Sequence, residues 1–407
     1  MKALSQNSIV AIDVGTTKIC VIIAQQENNK INILGIGKSP SNGLARGVVV
    51  NMGPACESIK HAIKEAELMA GCTIESAYIG ISGSHINSVN SHGMVPIKHG
   101  DVRAQDVERV INSAKAIPLQ DGEKILHVLP QFFTIDSHQR VRDPVGMHGV
   151  RLEAQVHIIT GGVTSVQNLV RCCELAGVKV RDIILEPLAS AQAVLSDDER
   201  ELGVAMLDIG GGTADLAFFH GGSIRHTKII PIAGQMFTND IALCLRTTRS
   251  DAEHIKRTCG YVGSIPQTTQ PIIITNIDGE TTRTIEHTSL HRVLLPRAQE
   301  LLGYVHKEIK QYQLNQFCAS GIVITGGGSL LYGIDELAKQ TLIMPSRLGK
   351  PKVPYEIKDS LLSPIYATGY GLILYTFDKN KKKSFMNSGN IMQNVFWRMK
   401  SWMADFF

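Results

Sequence analysis

Two stretches of this chain carry one pattern: AIDVGTTKICVI (Ala11–Ile22) and MLDIGGGTADLAF (Met206–Phe218). Each runs an apolar strand into an aspartate, turns through glycine and threonine, and leaves on a second apolar strand. Asp13 is followed by Gly15, Thr16 and Thr17, and Asp208 by Gly210, Gly211, Gly212 and Thr213, with nearly the same spacing. The match is short but specific, and it reads as an internal duplication.

The chemistry of such a turn is that of phosphate binding. Glycine lets successive backbone N–H groups point into one concavity that holds an anion, and threonine hydroxyls add donors. Lys18, just after the first turn, supplies a positive charge. The carboxylates of Asp13 and Asp208 repel phosphate, but they can hold Mg²⁺ through water, since that ion keeps several waters and takes one or two carboxylates. Two facing hairpins would grip a polyphosphate from both sides. No G-x-x-x-x-G-K-[ST] loop occurs, which excludes the P-loop class. A third glycine turn, ITGGGSLLYG (Ile324–Gly333), follows an apolar strand and opens a helix. Its Gly326, Gly327, Gly328 and Ser329 would let a flat ring or a sugar lie against backbone. Any one of these turns also reads as a plain strand connection; three in order, with both aspartates, select the binding reading.

Around them the chain reads as α/β. PACESIKHAIKEAELMAG (54–71) has helical spacing and ends in glycine, and SAYIGISG (76–83) is a short buried strand. Residues 85–162 form a self-contained strand–helix–strand–strand block, with strands expected at HGMVPIKH, KILHVLPQFFTID and RLEAQVHIIT. Residues 165–177 are helical, 180–195 are a strand entering a helix, and IYATGYGLILYTF (365–377) is a last core helix.

The 407 residues provide ample chain for several domain-sized units. The net charge of +4 is unevenly placed. From Asp378 onward Lys379, Lys381, Lys382, Lys383, Arg398 and Lys400 face only Asp378 and Asp405, so the tail carries the whole excess and the body is neutral. A nucleic-acid-binding body would need a basic face. The eight cysteines show no C-x-x-C spacing, as suits reduced thiols. The N-terminus lacks the apolar run of a signal peptide, and no window is apolar enough to span a bilayer.

The order of the Asp13 turn, EPLASA, the Asp208 turn, TGGGS and ATGYG resembles the actin/Hsp70/sugar-kinase ATPase superfamily. GVVVNM, AELMAG, GISGSHI, RLEAQVHIIT and LEPLASAQAVL look in particular like the FtsA family of bacterial cell-division proteins, and the resemblance covers essentially the whole chain. It implies an actin-like two-lobe ATPase fold with an inserted small α+β domain and a C-terminal amphipathic helix. The implied first lobe is 1–84, continued by 362–377. The insert is 85–162, of the kind called an SHS2 domain. The second lobe is 163–361, with a subdomain at about 232–310, followed by a basic flexible linker at 378–389 and a membrane-targeting helix at 390–407.

The resemblance also implies roles. Asp13, Gly15, Thr16, Thr17 and Lys18, with Asp208, Gly210, Gly211, Gly212 and Thr213, would hold the phosphates of ATP and Mg²⁺. Glu253 and Lys256 of AEHIK would flank ribose and adenine, and Gly326, Gly327, Gly328 and Ser329 would line the adenosine. Glu186 of EPLASA stands where hydrolytic members place a water-orienting carboxylate, although a helix N-terminal acid is an equal reading of it. Members of this family are generally poor ATPases, so at most weak turnover is implied. The implied partners are the C-terminal peptide of FtsZ, with Arg292 and Arg297 as basic candidates on its subdomain, further copies of the chain in a filament, and other division proteins on the 85–162 domain.

The tail has its own logic. On a helix, Met392, Val395, Phe396, Met399, Trp402, Met403 and Phe406 form one apolar stripe, and Trp397 falls outside it. This composition suits a helix lying in a membrane interface, and Lys381, Lys382 and Lys383 before it would add attraction to anionic lipid. The expected location is the cytoplasmic face of the inner membrane, as a peripheral protein. The rivals are weaker. A sugar kinase needs an acceptor pocket with its own catalytic aspartate, an Hsp70-type chaperone needs a peptide-binding domain, and a PilM-like pilus adaptor leaves the tail unexplained.

Overall fold

The computed structural model describes residues 2–3, 8–27, 30–137, 140–264, 270–354 and 361–387. The apolar stripe of the tail, Met392–Phe406, lies outside the described residues.

The first glycine turn joins β1 (Ser8–Val14) to β2 (Lys18–Glu27), and β3 (Lys30–Pro40) continues the meander. The helix α1 (Met52–Ala70) crosses to β4 (Ser76–Ile81). Gly71 ends that helix in the left-handed conformation, its N–H returning to Glu67 O. After the insert, α2 (Val163–Leu175) leads to a strand at Lys179–Leu185 and then to a short helix at Glu186–Val194. In this sheet the order runs Lys179–Leu185, β4, β1, β2, β3. The three meander strands are antiparallel, and β4 and Lys179–Leu185 add in parallel.

The second sheet repeats this plan. Val204–Ile209, Ala214–His220 and Ser223–Ile230 are its antiparallel meander, and Ile322–Thr325 and Ser346–Leu348 add in parallel beside Val204–Ile209. All six residues of Val204–Ile209 are buried, as expected of a central strand covered on both faces. The duplication holds to the residue. Asp13 pairs with Cys20 in the first hairpin and Asp208 with Asp215 in the second. Each turn is closed alike, Gly15 N–H to Lys18 O at 3.1 Å and Gly210 N–H to Thr213 O at 2.9 Å.

Two boundaries differ from the sequence reading. Residues 163–185 were expected in the second lobe, but Lys179–Leu185 is an edge strand of the first sheet. A parallel neighbour of β4 needs a long crossover, and the insert together with α2 supplies it. The last helix, Ala367–Asn387, runs on through residues expected as a flexible linker from 378. Lysine and asparagine do not break a helix, and its continuation is pinned where Lys379 Nζ donates to Asp182 at 2.7 Å.

The insert is a four-stranded antiparallel sheet with one helix. Its order is Arg140–Val141, Glu123–Ile135, Arg151–Gly162, Ile86–Pro96, and Ala104–Ala114 packs on one face. Val110, Val128, Phe133, Leu152, Val156 and Ile158 form its own core. The first strand begins earlier than the expected 92, because Ile86–Ser91 pair in register with Val156–Gly161. Gly93 lets the helix approach: a Cβ there would sit 2.3 Å from Val110 O.

The insert is spliced into the first lobe but docks on the second. Ser88 Oγ donates to Thr227 O at 2.9 Å, Asn90 Nδ2 to Arg225 O at 3.0 Å, and Gln131 Nε2 to Ile224 O at 2.9 Å. These side chains cover the carbonyls of the sheet's edge strand, Ser223–Ile230. His157 is buried in this seam, 2.7 Å from Asn90 Oδ1 and 3.0 Å from Thr227 Oγ1.

Candidate nucleotide cleft

The two hairpin turns face each other where the sheets meet. A Cβ on Gly211 would lie 2.4 Å from Thr17 Cγ2, and one on Gly212 would lie 2.4 Å from Thr16 Oγ1. Side chains at those two glycines would therefore hold the turns apart. The carbonyls of Gly210 and Gly211 accept from Gly234 and Gln235 N–H at 3.0 and 2.8 Å, which seats the second turn on the start of the helix Gly234–Cys244.

The third turn closes on the second. Gly326 has φ +81°, and a Cβ there would stand 2.2 Å from Asp208 Oδ1 and 2.6 Å from Ile209 O, so only glycine fits. Gly328 packs as tightly, with a built Cβ 2.3 Å from Ile209 Cγ2, and Gly327 lies near Ile365. Ser329 was expected to line the adenosine. Its side chain is buried and donates instead to Gly326 O at 2.7 Å, so the hydroxyl holds the turn.

Four carboxylates gather at this junction. Asp13 ends the first strand of its hairpin, Asp208 the equivalent strand, Asp215 starts the return strand, and Glu186 opens the helix Glu186–Val194. Burial raises all four above the usual carboxylate range, and the charges of the others add to the effect on Asp13, Asp215 and Glu186. Asp13 rises to about 6 and Asp215 to about 7, while Glu186 stands well above its ordinary value. Lys18 counters part of this for Asp13, Glu186 and Asp208. Its Nζ donates to Ile365 O at 2.5 Å and lies 5.0 Å from the centre of the Tyr366 ring. Asp208 is held from two helices that connect the lobes, by Ser190 Oγ of Glu186–Val194 at 2.5 Å and Thr368 Oγ1 of Ala367–Asn387 at 3.2 Å.

Asp215, Ser190 and Thr368 were missed in the sequence. Asp215 had a signal, a charged residue inside the otherwise apolar run Ala214–Phe219. Ser190 and Thr368 sit inside EPLASA and ATGYG, but only the crossing of the helices shows that both reach one carboxylate. Glu253 and Lys256 lie together on the helix Arg249–Cys259, 2.6 Å apart. Lys256 Nζ also donates to Gly234 O at 3.0 Å and Thr238 Oγ1 at 2.8 Å, beside the helix that seats the second turn. Burial lowers the Lys256 pKa, and Glu253 partly offsets this.

Arg292 and Arg297 are on the long helix His287–Gln311. Arg292 is exposed. Arg297 was read as a basic candidate; its guanidinium forks onto Asp240, at 2.6 and 3.0 Å, and also meets Glu300. The acid that occupies it is far away in sequence. Among the described residues no helix is long and apolar enough to cross a membrane.

The repeated sheet plan, the insert and the paired turns define an actin-like ATPase fold. Solved structures show the same fold. The PilM–PilN type IV pilus biogenesis complex matches with a TM-score of 0.65 at 17% identity, covering 90% of this chain and 98% of that one. MreB5 of Spiroplasma citri bound to ADP matches with a TM-score of 0.59 at 15% identity, covering 94% and 99%. Family models match as "SHS2 domain inserted in FTSA" over residues 83–160 and "Cell division protein FtsA" over 205–371. The chain is 42% identical to cell division protein FtsA of Pseudomonas aeruginosa, covering 99% of each, and 37% identical to that of Escherichia coli, covering 99% of this chain and 97% of the other. The chain belongs to the FtsA family of cell-division proteins.

Proposed function

We propose that the chain is an ATP-binding, actin-like division protein that tethers the FtsZ ring to the cytoplasmic face of the inner membrane and assembles with its own copies. The observation that carries the nucleotide reading is the meeting of three glycine turns around clustered buried carboxylates. Asp215 Oδ1 is buried without a hydrogen-bond partner, and the cluster concentrates negative charge that a divalent cation would relieve. Among the described residues no three His, Cys, Asp or Glu side chains converge into a metal site by themselves. Mg²⁺ keeps several waters and takes one or two carboxylates, so it would sit here with phosphate oxygens and water.

Asp13, Asp208 and Asp215 would hold Mg²⁺ through water, and the N–H groups of both turns with Thr16, Thr17, Thr213 and Lys18 would take the phosphates. Glu253 and Lys256 would flank the ribose and adenine, beside the third turn. Bound Mg²⁺ supplies charge neutralisation at the phosphates. Glu186 keeps a carboxyl at the cleft with a raised affinity for protons, suited to orienting water, and any turnover is slow.

The tail reading rests on the apolar stripe 392–406 and the lysines before it. A single such helix binds lipid weakly, and assembly of copies multiplies the binding. Arg292 is the better-placed basic candidate toward the acidic FtsZ peptide, because Arg297 is already engaged. The insert is the surface offered to other division proteins.

Two measurements test the proposal. Equilibrium dialysis should show Mg²⁺-dependent ATP binding that Asp208→Asn weakens. Vesicles should pellet FtsZ only with the full chain and not after deletion of 390–407. Pelleting of FtsZ that ignores the deletion would reject the tether, and absence of ATP binding would reject the cleft.

A further inference from the structure

The body of the chain is neutral overall, yet three arginines gather at the junction of the insert and the second lobe. Arg140 and Arg225 place their guanidinium carbons 4.4 and 5.3 Å from the centre of the Phe132 ring. Arg142 and Arg225 both lie over the hairpin turn Gly221–Gly222. A Cβ on Gly222 would meet Arg142 Nη2 at 2.8 Å, and one on Gly221 would meet Arg225 Nη2 at 3.2 Å. Both glycines have positive φ, so the turn stays bare and the guanidinium groups close over it.

The charge of this cluster is poorly balanced. Arg142 meets Glu201, in a pair exposed to solvent on both sides and therefore weak. Among the described residues no carboxylate pairs with Arg140 or Arg225, and Arg225 feels Arg140 and Arg142 as repelling neighbours. Arg140 and Arg142 are exposed, and Arg225 is half-buried with its Nε donating to His220 O at 3.0 Å. Arginine stacked on an aromatic ring keeps its N–H edge free for phosphate.

The location selects the anion. Glu201 is adjacent to Arg200, whose Nη2 donates to Ala191 O at 2.7 Å and which lies within electrostatic reach of Asp378. Gln192, next to Ala191, donates to the same Asp378. Asp378 belongs to the last helix, Ala367–Asn387, which carries the lysine run and beyond which the tail follows in the sequence. The arginine cluster therefore sits on the flank where the chain leaves the body.

We propose that Arg140, Arg142 and Arg225, around Phe132, form a second membrane contact, which binds anionic phospholipid headgroups and fixes the orientation of the body over the surface. This rests on the tail reading above. The tail supplies the attachment, and the cluster converts a loose tether into a defined pose. A surface that spans both insert and second lobe also makes the pose depend on their docking.

The test uses the full chain and vesicles of phosphatidylglycerol with phosphatidylcholine. The sequence has two tryptophans, Trp397 and Trp402, so Trp397→Phe with Trp402→Phe leaves a background into which Phe132→Trp brings a single reporter indole. Brominated phosphatidylglycerol should quench that indole. Reversing Arg140→Glu and Arg142→Glu, both exposed, should abolish the quenching and weaken partitioning by roughly 25-fold or more, given about a fivefold contribution per basic residue near an anionic surface. Arg140→Lys with Arg142→Lys should retain most of both.

Quenching of the native tail tryptophans without quenching at position 132 would overturn this proposal and leave the tail reading intact. Loss of tail quenching would overturn the tether instead. Unchanged partitioning of the charge-reversed chain would also overturn the second contact. So would protection of the reporter by an acidic poly-glutamate peptide but not by vesicles, which would assign the cluster to a protein partner.

Discussion

Ser190 donates a hydrogen bond of 2.5 Å to Asp208, tying the first connecting helix to the strand that carries the second glycine turn. Thr368 reaches the same carboxylate from the last helix and lies 3.1 Å from Ser190. The junction of the lobes is thus tied together at one carboxylate; burial raises its affinity for protons, and the two hydroxyls partly offset this and fix its orientation.

Ser190→Ala should destabilise the chain by about 2 kcal/mol, the range for a hydrogen bond to a buried charge. Urea denaturation at neutral pH measures it. ATP affinity should fall as well, because Asp208 is left free to turn from the cleft; unchanged affinity would show that Thr368 alone suffices.

Gly371 brings the two connecting helices into backbone contact, and a Cβ there would lie 1.9 Å from Ala189 O. Neither atom is at the flexible end of a side chain, so relief requires the helices to part. Gly371→Ala should cost about 2 kcal/mol or more. It should also lower nucleotide affinity, since the helix that carries Ser190 moves with the crossing.

Asp215 has its carboxyl pushed up to about 7, first by burial and then by its acidic neighbours. In nucleotide-free protein the native state then holds more protons than the unfolded chain between about pH 4 and 7. The stability contribution is full below the unfolded value and is lost as pH rises through the folded one. Asp215→Asn should therefore raise the melting temperature at about pH 8 and change it little at about pH 5. The same substitution should weaken Mg²⁺-dependent ATP binding. For the parent chain, that binding should tighten as pH rises through the same window.

His157 shows the opposite sign. Burial, then the neighbouring His226, depress its imidazole to about 3. His226 lies 3.1 Å from Glu308, which partly supports the charge of His226, while Lys228 opposes it. For His157 the unfolded chain takes up the proton first, so stability falls as pH drops below about 6.5 toward 3. Hydrogen exchange should show the edge strand Ser223–Ile230 losing protection in acid, and His157→Gln should flatten that response.

Much of this was legible in one dimension. The strand–Asp–Gly–Thr pattern is local, and phosphate-type turns need glycine at fixed offsets, so Asp13, Asp208 and the three turns declared themselves without a partner in view. The insert was also readable, because its strands alternate and its helix carries one apolar face. What the sequence could not supply were relations between distant segments. The assignment of Lys179–Leu185 to the first sheet depends on strand pairing, which leaves no trace in composition. Arg297 looked available because Asp240 lies far from it along the chain. Asp215 gained its meaning only when burial placed it beside Asp208 and Asp13, since a carboxylate's protonation is set by its surroundings. Local chemistry fixed which residues could bind; the meeting of two sheets and two helices decided which of them share one field.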